Sequence, residues 1–201
     1  MSVEIHVRRG DAIAPILPAL ARLRIEIFRE FPYLYDGDLA YETEYLARYA
    51  ERPGALIVTA EHEMEAGARE VVGASTGVPL AQELEVLQRP FLDAGLDVGA
   101  YFYGGESILR ASHRGRGIYA KFLAAREEHA RALGFATLTF CAVERPKDHP
   151  RRPVDYVPLD DVWRHFGYAP CPTLRTTFRW RDVDAAEEIE HPMVFWEKSL
   201  V

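Results

Sequence analysis

The first half of the chain alternates between segments with strand periodicity and segments with helical periodicity. Residues 3–8, VEIHVR, alternate apolar and polar positions as a half-buried strand does. Between Ile16 and Phe28 the apolar residues recur at helical spacing, and an aromatic loop follows over 31–38. A second helix is predicted over 39–51, with Asp38 as its N-cap.

The pattern then changes to strands. Residues 55–60 and 71–78 predict a β-hairpin, and 80–94 predict a helix that Pro90 interrupts. Segment 101–111 is predicted as a long strand, although it contains the pair Gly104-Gly105. Paired glycines inside a strand indicate a bulge or the close approach of a ligand.

Residues 101–143 predict a strand, a glycine-rich loop, a helix and a second strand parallel to the first. The helix lies within 113–135 and has no Ser, Thr, Asp or Asn immediately before it, so an anion could bind its first N–H groups. Gly115 and Gly117 allow the backbone to approach such an anion closely. The apolar positions predict the inner face of this helix as Tyr119, Phe122, Leu123, Ala130 and Leu133.

Composition and charge restrict the functional classes. The 201 residues are 48% hydrophobic with a net charge of −7, so we expect one globular domain over 1–201 without general affinity for nucleic acid or anionic lipid. No uninterrupted apolar run is long enough for a membrane span. Two cysteines and a polar N-terminal segment favour a reducing, cytoplasmic location.

One segment departs from the acidic character of the chain. Residues 105–152 contain ten Lys and Arg against five Asp and Glu. A basic segment in an acidic protein favours a single anionic ligand over a polyanion, although a solvated helix face has the same composition.

The loop before the helix matches neither of two common phosphate-binding motifs. It lacks the Lys and hydroxyl of a Walker loop, and it lacks the third glycine and the later acid of a dinucleotide fingerprint. In its context the loop resembles the acyl-CoA motif R/Q-x-x-G-x-G/A of the GNAT superfamily of N-acyltransferases. Tyr119 stands where that family prefers Gly or Ala. The residues that match are Arg114, Gly115, Arg116, Gly117 and Ile118.

This resemblance implies a single-domain, three-layer α+β fold. Its central sheet is mixed and mostly antiparallel, with a splayed parallel pair, and helices flank it. The resemblance also implies that backbone N–H groups over 114–119 bind the CoA pyrophosphate and that the preceding strand pairs with pantetheine. The predicted CoA-binding residues are Leu109, Arg110, Ala111, Arg114, Gly115, Arg116, Gly117, Ile118 and Tyr119.

The resemblance implies acetyl transfer to a primary amine of a small molecule or peptide, for which three catalytic candidates follow. Glu106 is a candidate base; alternatively it is a solvent-facing or salt-bridged glutamate. The N–H of Leu109 is the candidate donor to the thioester oxygen. Trp163 stands where many relatives carry a tyrosine acid, and Tyr156 is a candidate replacement, with packing or cofactor contact as its alternative.

The acceptor region is predicted between the first two helices, where an aromatic wall with an acid suits a cationic amine. The residues are Phe31, Tyr33, Tyr35 and Asp36, and packing of the helix pair explains them equally well. Cys141 is predicted as a buried hydrophobe rather than a nucleophile. We expect no metal, and a homodimer is left open.

Two other functions stay open from the sequence. One is a non-catalytic CoA-binding or regulatory module that has lost its acid, suggested by Trp163. The other is an enzyme of another class that binds a nucleotide phosphate at the helix N-terminus.

Overall fold

The computed structural model of the chain describes residues 3–64 and 67–201, where the backbone forms five α-helices and seven β-strands. The helices are α1 Leu17–Phe28, α2 Leu39–Glu51, α3 Glu85–Asp93, α4 Ile118–Ala132 and α5 Asp160–His165. The strands are β1 Val3–Arg8, β2 Leu56–Glu63, β3 Arg69–Pro79, β4 Tyr101–Leu109, β5 Thr137–Val143, β6 Ala169–Arg181 and β7 Glu188–Ser199. Every strand and helix predicted before position 79 is confirmed; the tip of the predicted hairpin lies partly outside the described residues.

All seven strands form one sheet in the order β1-β2-β3-β4-β5-β7-β6. Strands β4 and β5 are parallel neighbours, and the other five neighbouring pairs are antiparallel. The connection between the parallel strands contains α4, as the sequence predicted. The expected mixed, mostly antiparallel sheet is confirmed.

Helices cover both faces of the sheet and produce three layers. Buried residues of α1, α2 and α3 share one apolar cluster with one face, and α4 and α5 pack on the other. Phe122, Leu123 and Ala130 of α4 are buried as predicted. Leu133 is 46% exposed, so its predicted place on the inner face is wrong, because α4 ends at Ala132 and the chain turns away.

The helix predicted over 80–94 differs in detail. A short 3₁₀ turn over 80–82 precedes α3, and Pro90 lies inside α3 instead of interrupting it. Proline cannot donate to the carbonyl four residues earlier, which here belongs to Val86. The hydroxyl of Thr176 in β6 donates to that carbonyl over 2.7 Å, so a neighbouring strand satisfies the acceptor that proline leaves unpaired.

The start of α2 follows the sequence prediction. The Asp38 carboxylate accepts a hydrogen bond from the N–H of Tyr41 over 2.9 Å, as an N-cap does. None of the helices in the described part of the chain is long and apolar enough to cross a membrane.

Candidate functional site

Strands β4 and β5 pair over three residues each and then separate. The pairing runs from Tyr101 with Thr137 to Tyr103 with Thr139. Beyond it β4 stays paired with β3, and β5 stays paired with β7. A cavity of about 590 Å³ opens between the two strands. We call this cavity the cleft.

The paired glycines of β4 lie at a β-bulge where the cleft begins. Thr76 of β3 opposes two residues of β4, Gly105 and Glu106, between otherwise regular pairs. A Cβ on Gly105 would lie 2.5 Å from Thr76 Oγ1 and from Tyr49 Oη, so only glycine fits without displacing them. The predicted bulge is confirmed, and it directs the Glu106 side chain to the face covered by α1 and α2.

The backbone of β4 presents unpaired N–H groups to the cleft. Arg110 donates its N–H to the carbonyl of Val72 in β3 over 2.9 Å. Because alternate residues of an antiparallel strand point to opposite neighbours, the N–H groups of Ser107 and Leu109 point away from β3, toward the cleft. The Leu109 carbonyl points the same way and accepts a hydrogen bond from Arg114 Nε over 3.1 Å.

The loop before α4 has the geometry of an anion site. Gly115 and Gly117 have φ values of +74° and +73°, and open space surrounds the position of a Cβ at both. Gly117 is the N-cap of α4, and no side chain caps the helix. Buried Ile118 anchors its first turn, and the side chain of Arg116 is exposed beside it. The first N–H groups of α4 are therefore available to an anion from solvent.

The structure does not direct every predicted CoA-binding residue toward the cleft. The Arg110 guanidinium pairs with Glu26 and Glu70, its N–H bonds to β3, and its carbonyl accepts from His113. The polar groups of Arg110 are thus engaged with other parts of the protein. Ala111 begins a 3₁₀ turn that carries the chain from β4 to the loop.

Glu106 is buried and ion-paired. Its carboxylate bonds to Arg24 of α1, which also bonds to Glu42 of α2. Burial raises the pKa of Glu106 above its ordinary value, although the positive charge of Arg24 opposes the shift. Within the described residues, Oε1 of Glu106 and Oε1 of Glu42 have no hydrogen-bond partner. Sequence reasoning missed Arg24 and Glu42, because both lie far from Glu106 along the chain.

A second cavity, of about 640 Å³, lies on the α1 and α2 face of the sheet and shares Glu106 with the cleft. We call it the α1-side cavity. Of the predicted acceptor residues, Tyr35 and Asp36 line this cavity, Phe31 lines the cleft and Tyr33 lines both. The alternative that these aromatic residues pack the helices also holds in part, since the ring centroids of Tyr33 and Phe28 lie 4.6 Å apart.

The acidic side chains that line this cavity differ in their partners. The Asp36 carboxylate is neutralised by Arg29 at 3.1 Å and Arg181 at 2.6 Å. Among the described residues, the buried carboxylate oxygens of this cavity without a hydrogen-bond partner belong to Glu42 and Glu106. Burial, followed by the charge of Glu42, raises the pKa of the neighbouring Tyr35.

Three side chains that could take part in sulfur chemistry line the cleft. Trp163 of α5 donates its indole N–H to the hydroxyl of Tyr119. Tyr156 also lines the cleft and precedes α5 along the chain. Cys141 is buried as predicted, and burial raises the pKa of its thiol to about 12.

Comparison with known proteins is informative for the fold alone. Neither the scan against family models nor the search of curated proteins finds a match. Similar solved structures include a protein of the GNAT family from Desulfovibrio desulfuricans, with a TM-score of 0.55, 11% identity and 100% of both chains covered. Ribosomal-protein-alanine N-acetyltransferase from Brucella melitensis has a TM-score of 0.58 and 17% identity, over 96% of this chain and 99% of that chain. The protein yncA from Salmonella typhimurium, solved with its cofactor acetyl-CoA, has a TM-score of 0.58 and 12% identity, over 98% and 94%.

The chain has the GNAT fold. This confirms the fold that the motif at 114–118 implied. Within the GNAT fold of this chain, Tyr119 in the first turn of α4, the edge of β4 over 104–107 and the bulge at Glu106 all border one cleft. Among the described residues no group of three or more His, Cys, Asp or Glu side chains is arranged to hold a metal ion.

Proposed function

We propose that the protein is an acetyl-CoA-dependent N-acetyltransferase that acylates a primary amine by direct transfer within a ternary complex. One observation carries the proposal: the first turn of a helix without a side-chain cap contributes Tyr119 to a cleft that is also lined by a buried carboxylate of raised pKa, Glu106. Such a helix start suits a diphosphate, and such a carboxylate suits a base. Solved GNAT-fold structures that contain acetyl-CoA or CoA support the donor.

The residues present fit coenzyme A. The N–H groups from Gly115 to Tyr119 would bind the pyrophosphate, with Arg116 beside them. Bound acetyl-CoA supplies the acyl group as an activated thioester. The N–H of Leu109 faces the cleft close to this loop and would donate to an amide of the pantetheine arm.

The donor to the thioester oxygen is better assigned to Ser107 than to Leu109. Leu109 follows Glu106 by three positions along the strand, a rise of about 10 Å, so the two are too far apart to serve one reacting carbonyl. The N–H of Ser107 also faces the cleft and is adjacent to Glu106 along β4. It would stabilise the negative charge that develops on oxygen.

Glu106 and Glu42 supply what an amine acceptor requires. An alkyl ammonium is almost entirely protonated at neutral pH, so acylation requires removal of a proton. Glu106 borders both cavities, and its raised pKa makes its carboxylate a stronger base than an exposed glutamate. Glu42 would hold the ammonium group, and the ring of Tyr35 would pack on apolar parts of the acceptor.

Direct transfer agrees with the state of Cys141. Its thiol is buried, with a pKa of about 12, and its sulfur lies 3.2 Å from the Tyr103 hydroxyl. A thiol of that pKa carries almost no thiolate at neutral pH, so an acyl-cysteine mechanism is disfavoured. Tyr156 stays a candidate proton donor for the sulfur.

Two measurements test the proposed function. Acetyl-CoA should raise the melting temperature and bind by calorimetry, whereas ATP and NAD should do neither. The protein should then release free thiol from acetyl-CoA with members of a panel of primary amines. Absence of CoA binding would refute the proposal, and tight binding without turnover on any amine would favour the non-catalytic module.

A further inference from the structure

Arg126 of α4 is a buried cation for which the described part of the chain supplies no counter-ion. It is 2% exposed, and it lines the cleft. Its Nη1 donates to the hydroxyl of Ser107 over 3.2 Å, and its Nε has no partner there. Arg24 on the other face of the sheet, in contrast, is paired with two carboxylates. A buried, unpaired charge is costly to the fold, so its presence indicates that a negative ligand group offsets it.

The absence of a Cβ at Gly104 leaves space for this guanidinium. A Cβ on Gly104 would lie 2.5 Å from Nη1 and 2.7 Å from Cζ of Arg126. Gly104 is the first residue of β4 after the last pair with β5, Tyr103 with Thr139. The guanidinium therefore lies where the two strands begin to separate, at the closed end of the cleft.

The surrounding groups leave the charge of Arg126 uncompensated. Tyr119 and Tyr168 are both close enough to feel its charge, but burial raises the pKa of each, to about 12 for Tyr168, so both are neutral at physiological pH. Glu127, the next residue of α4, is engaged with Lys198 over 2.7 Å. Glu106 points to the opposite face of the sheet, toward Arg24.

We propose that Arg126 stabilises the sulfur of coenzyme A as a thiolate when the acyl group leaves it. This inference rests on the proposed function. Arg126 follows Ile118 by eight residues of α4, about 12 Å along the helix axis, which an extended pantetheine arm spans. In the transfer, the bond from the amine nitrogen to the carbonyl carbon forms and the carbon–sulfur bond breaks. The sulfur keeps the electron pair, and the nitrogen proton passes to Glu106. An arginine does not give up a proton, so Arg126 acts through its charge alone.

The pKa of the CoA thiol in the complex tests this assignment. Free thiols titrate near pH 8.5, and an adjacent positive charge lowers the pKa by about 1 to 3. The ultraviolet absorbance of the thiolate, followed against pH, should show this lowering with the wild-type protein. It should be lost with Arg126→Gln and largely restored with Arg126→Lys. Arg131→Gln, an exposed position of the same helix, is the matched control and should behave as wild type.

The outcome separates this inference from the proposed function. Absence of CoA binding by calorimetry refutes the proposed function, whereas normal binding with equal thiol pKa values in wild type and Arg126→Gln refutes the role of Arg126 alone. Gly104→Ala gives an independent check, because the new methyl displaces the guanidinium without removing it and should also raise the thiol pKa.

A second measurement excludes a different use of the same charge. If Arg126 recognises a carboxylate at the end of a longer acyl chain, succinyl-CoA should bind far more tightly than acetyl-CoA, and Arg126→Gln should abolish the difference. That result would overturn the thiolate assignment. We expect equal affinities for the two donors. We also expect a melting temperature for Arg126→Gln no lower than that of wild type, because the variant removes an unpaired buried charge.

Discussion

The indole N–H of Trp163 donates to the hydroxyl of Tyr119 over 3.0 Å. Tyr119 stands where the GNAT motif has Gly or Ala, and Trp163 stands where many GNAT relatives have a tyrosine acid. The structure brings these two side chains, one from the first turn of α4 and one from α5, into contact. The ring of Trp163 also packs against Phe140 at 5.1 Å and Trp196 at 5.0 Å. The hydrogen bond between Trp163 and Tyr119 therefore holds α5 against the first turn of α4 at the edge of the cleft.

Tyr119→Phe should destabilise the protein, because it leaves the Trp163 N–H without an acceptor in a largely buried place. An unsatisfied buried donor costs about 1 to 3 kcal/mol, and we expect a decrease of that size in the free energy of unfolding measured with urea. Tyr156→Phe is the matched control. Its ring is partly exposed and its hydroxyl has no hydrogen-bond partner in the described residues, so a change within about 0.5 kcal/mol is expected. Equal losses in the two variants would contradict this account.

Local patterns predicted the helices and strands from β1 to β5, the bulge in β4 and the uncapped loop, because each depends on neighbouring residues. The partners of Glu106 were not predictable, since Arg24 is 82 positions away and only the packing of α1 on the sheet brings it there. Arg126 is one of the ten basic residues of segment 105–152, and its burial beside β4 depends on the missing Cβ of Gly104, which no local pattern indicates. Leu133 was misplaced because periodicity does not locate the last turn of a helix.

Gly117→Glu should weaken binding of acetyl-CoA sharply, because it places a negative charge where the first N–H groups of α4 would meet phosphate. Gly95→Glu is the matched control. Gly95 has φ +72° against +73° for Gly117, and open space surrounds both, so the backbone strain is the same. Calorimetry should show a loss of affinity for the first variant alone. Equal affinities would remove the loop from the binding site.

Glu106→Gln should lower kcat and flatten its dependence on pH while leaving CoA affinity intact. The base acts in its ionised form, and its raised pKa places the rise of kcat above pH 4.5 in the wild type. This rise of kcat with pH should be absent from the variant, because an amide does not titrate. A pH-rate profile that keeps its wild-type shape in Glu106→Gln would remove Glu106 from the mechanism.

The same group should also make stability depend on pH. The pKa of Glu106 is raised in the folded protein above the ordinary 4.5, so the folded state binds its proton more tightly than the unfolded state does. Its contribution to stability is complete below pH 4.5 and is lost as pH rises through the folded pKa. The free energy of unfolding of wild type, relative to Glu106→Gln, should therefore decrease as pH rises from 4 to 8 in urea titrations. An increase in this relative free energy of unfolding over that range would contradict a raised pKa of Glu106 in the folded protein.

Glu42→Gln should raise KM for the amine acceptor while leaving acetyl-CoA affinity unchanged. The unpartnered oxygen of Glu42 in the α1-side cavity is the proposed site of the ammonium group, and a hydrogen bond to a charged group contributes about 1.5 to 3 kcal/mol, which corresponds to about tenfold or more in KM. Arg24 keeps Glu106 as a partner, so the fold should tolerate the change. Asp36→Asn is the control, because Arg29 and Arg181 already neutralise that carboxylate, and its KM should change much less. A larger increase in KM for Asp36→Asn than for Glu42→Gln would indicate that Asp36, and not Glu42, binds the ammonium group.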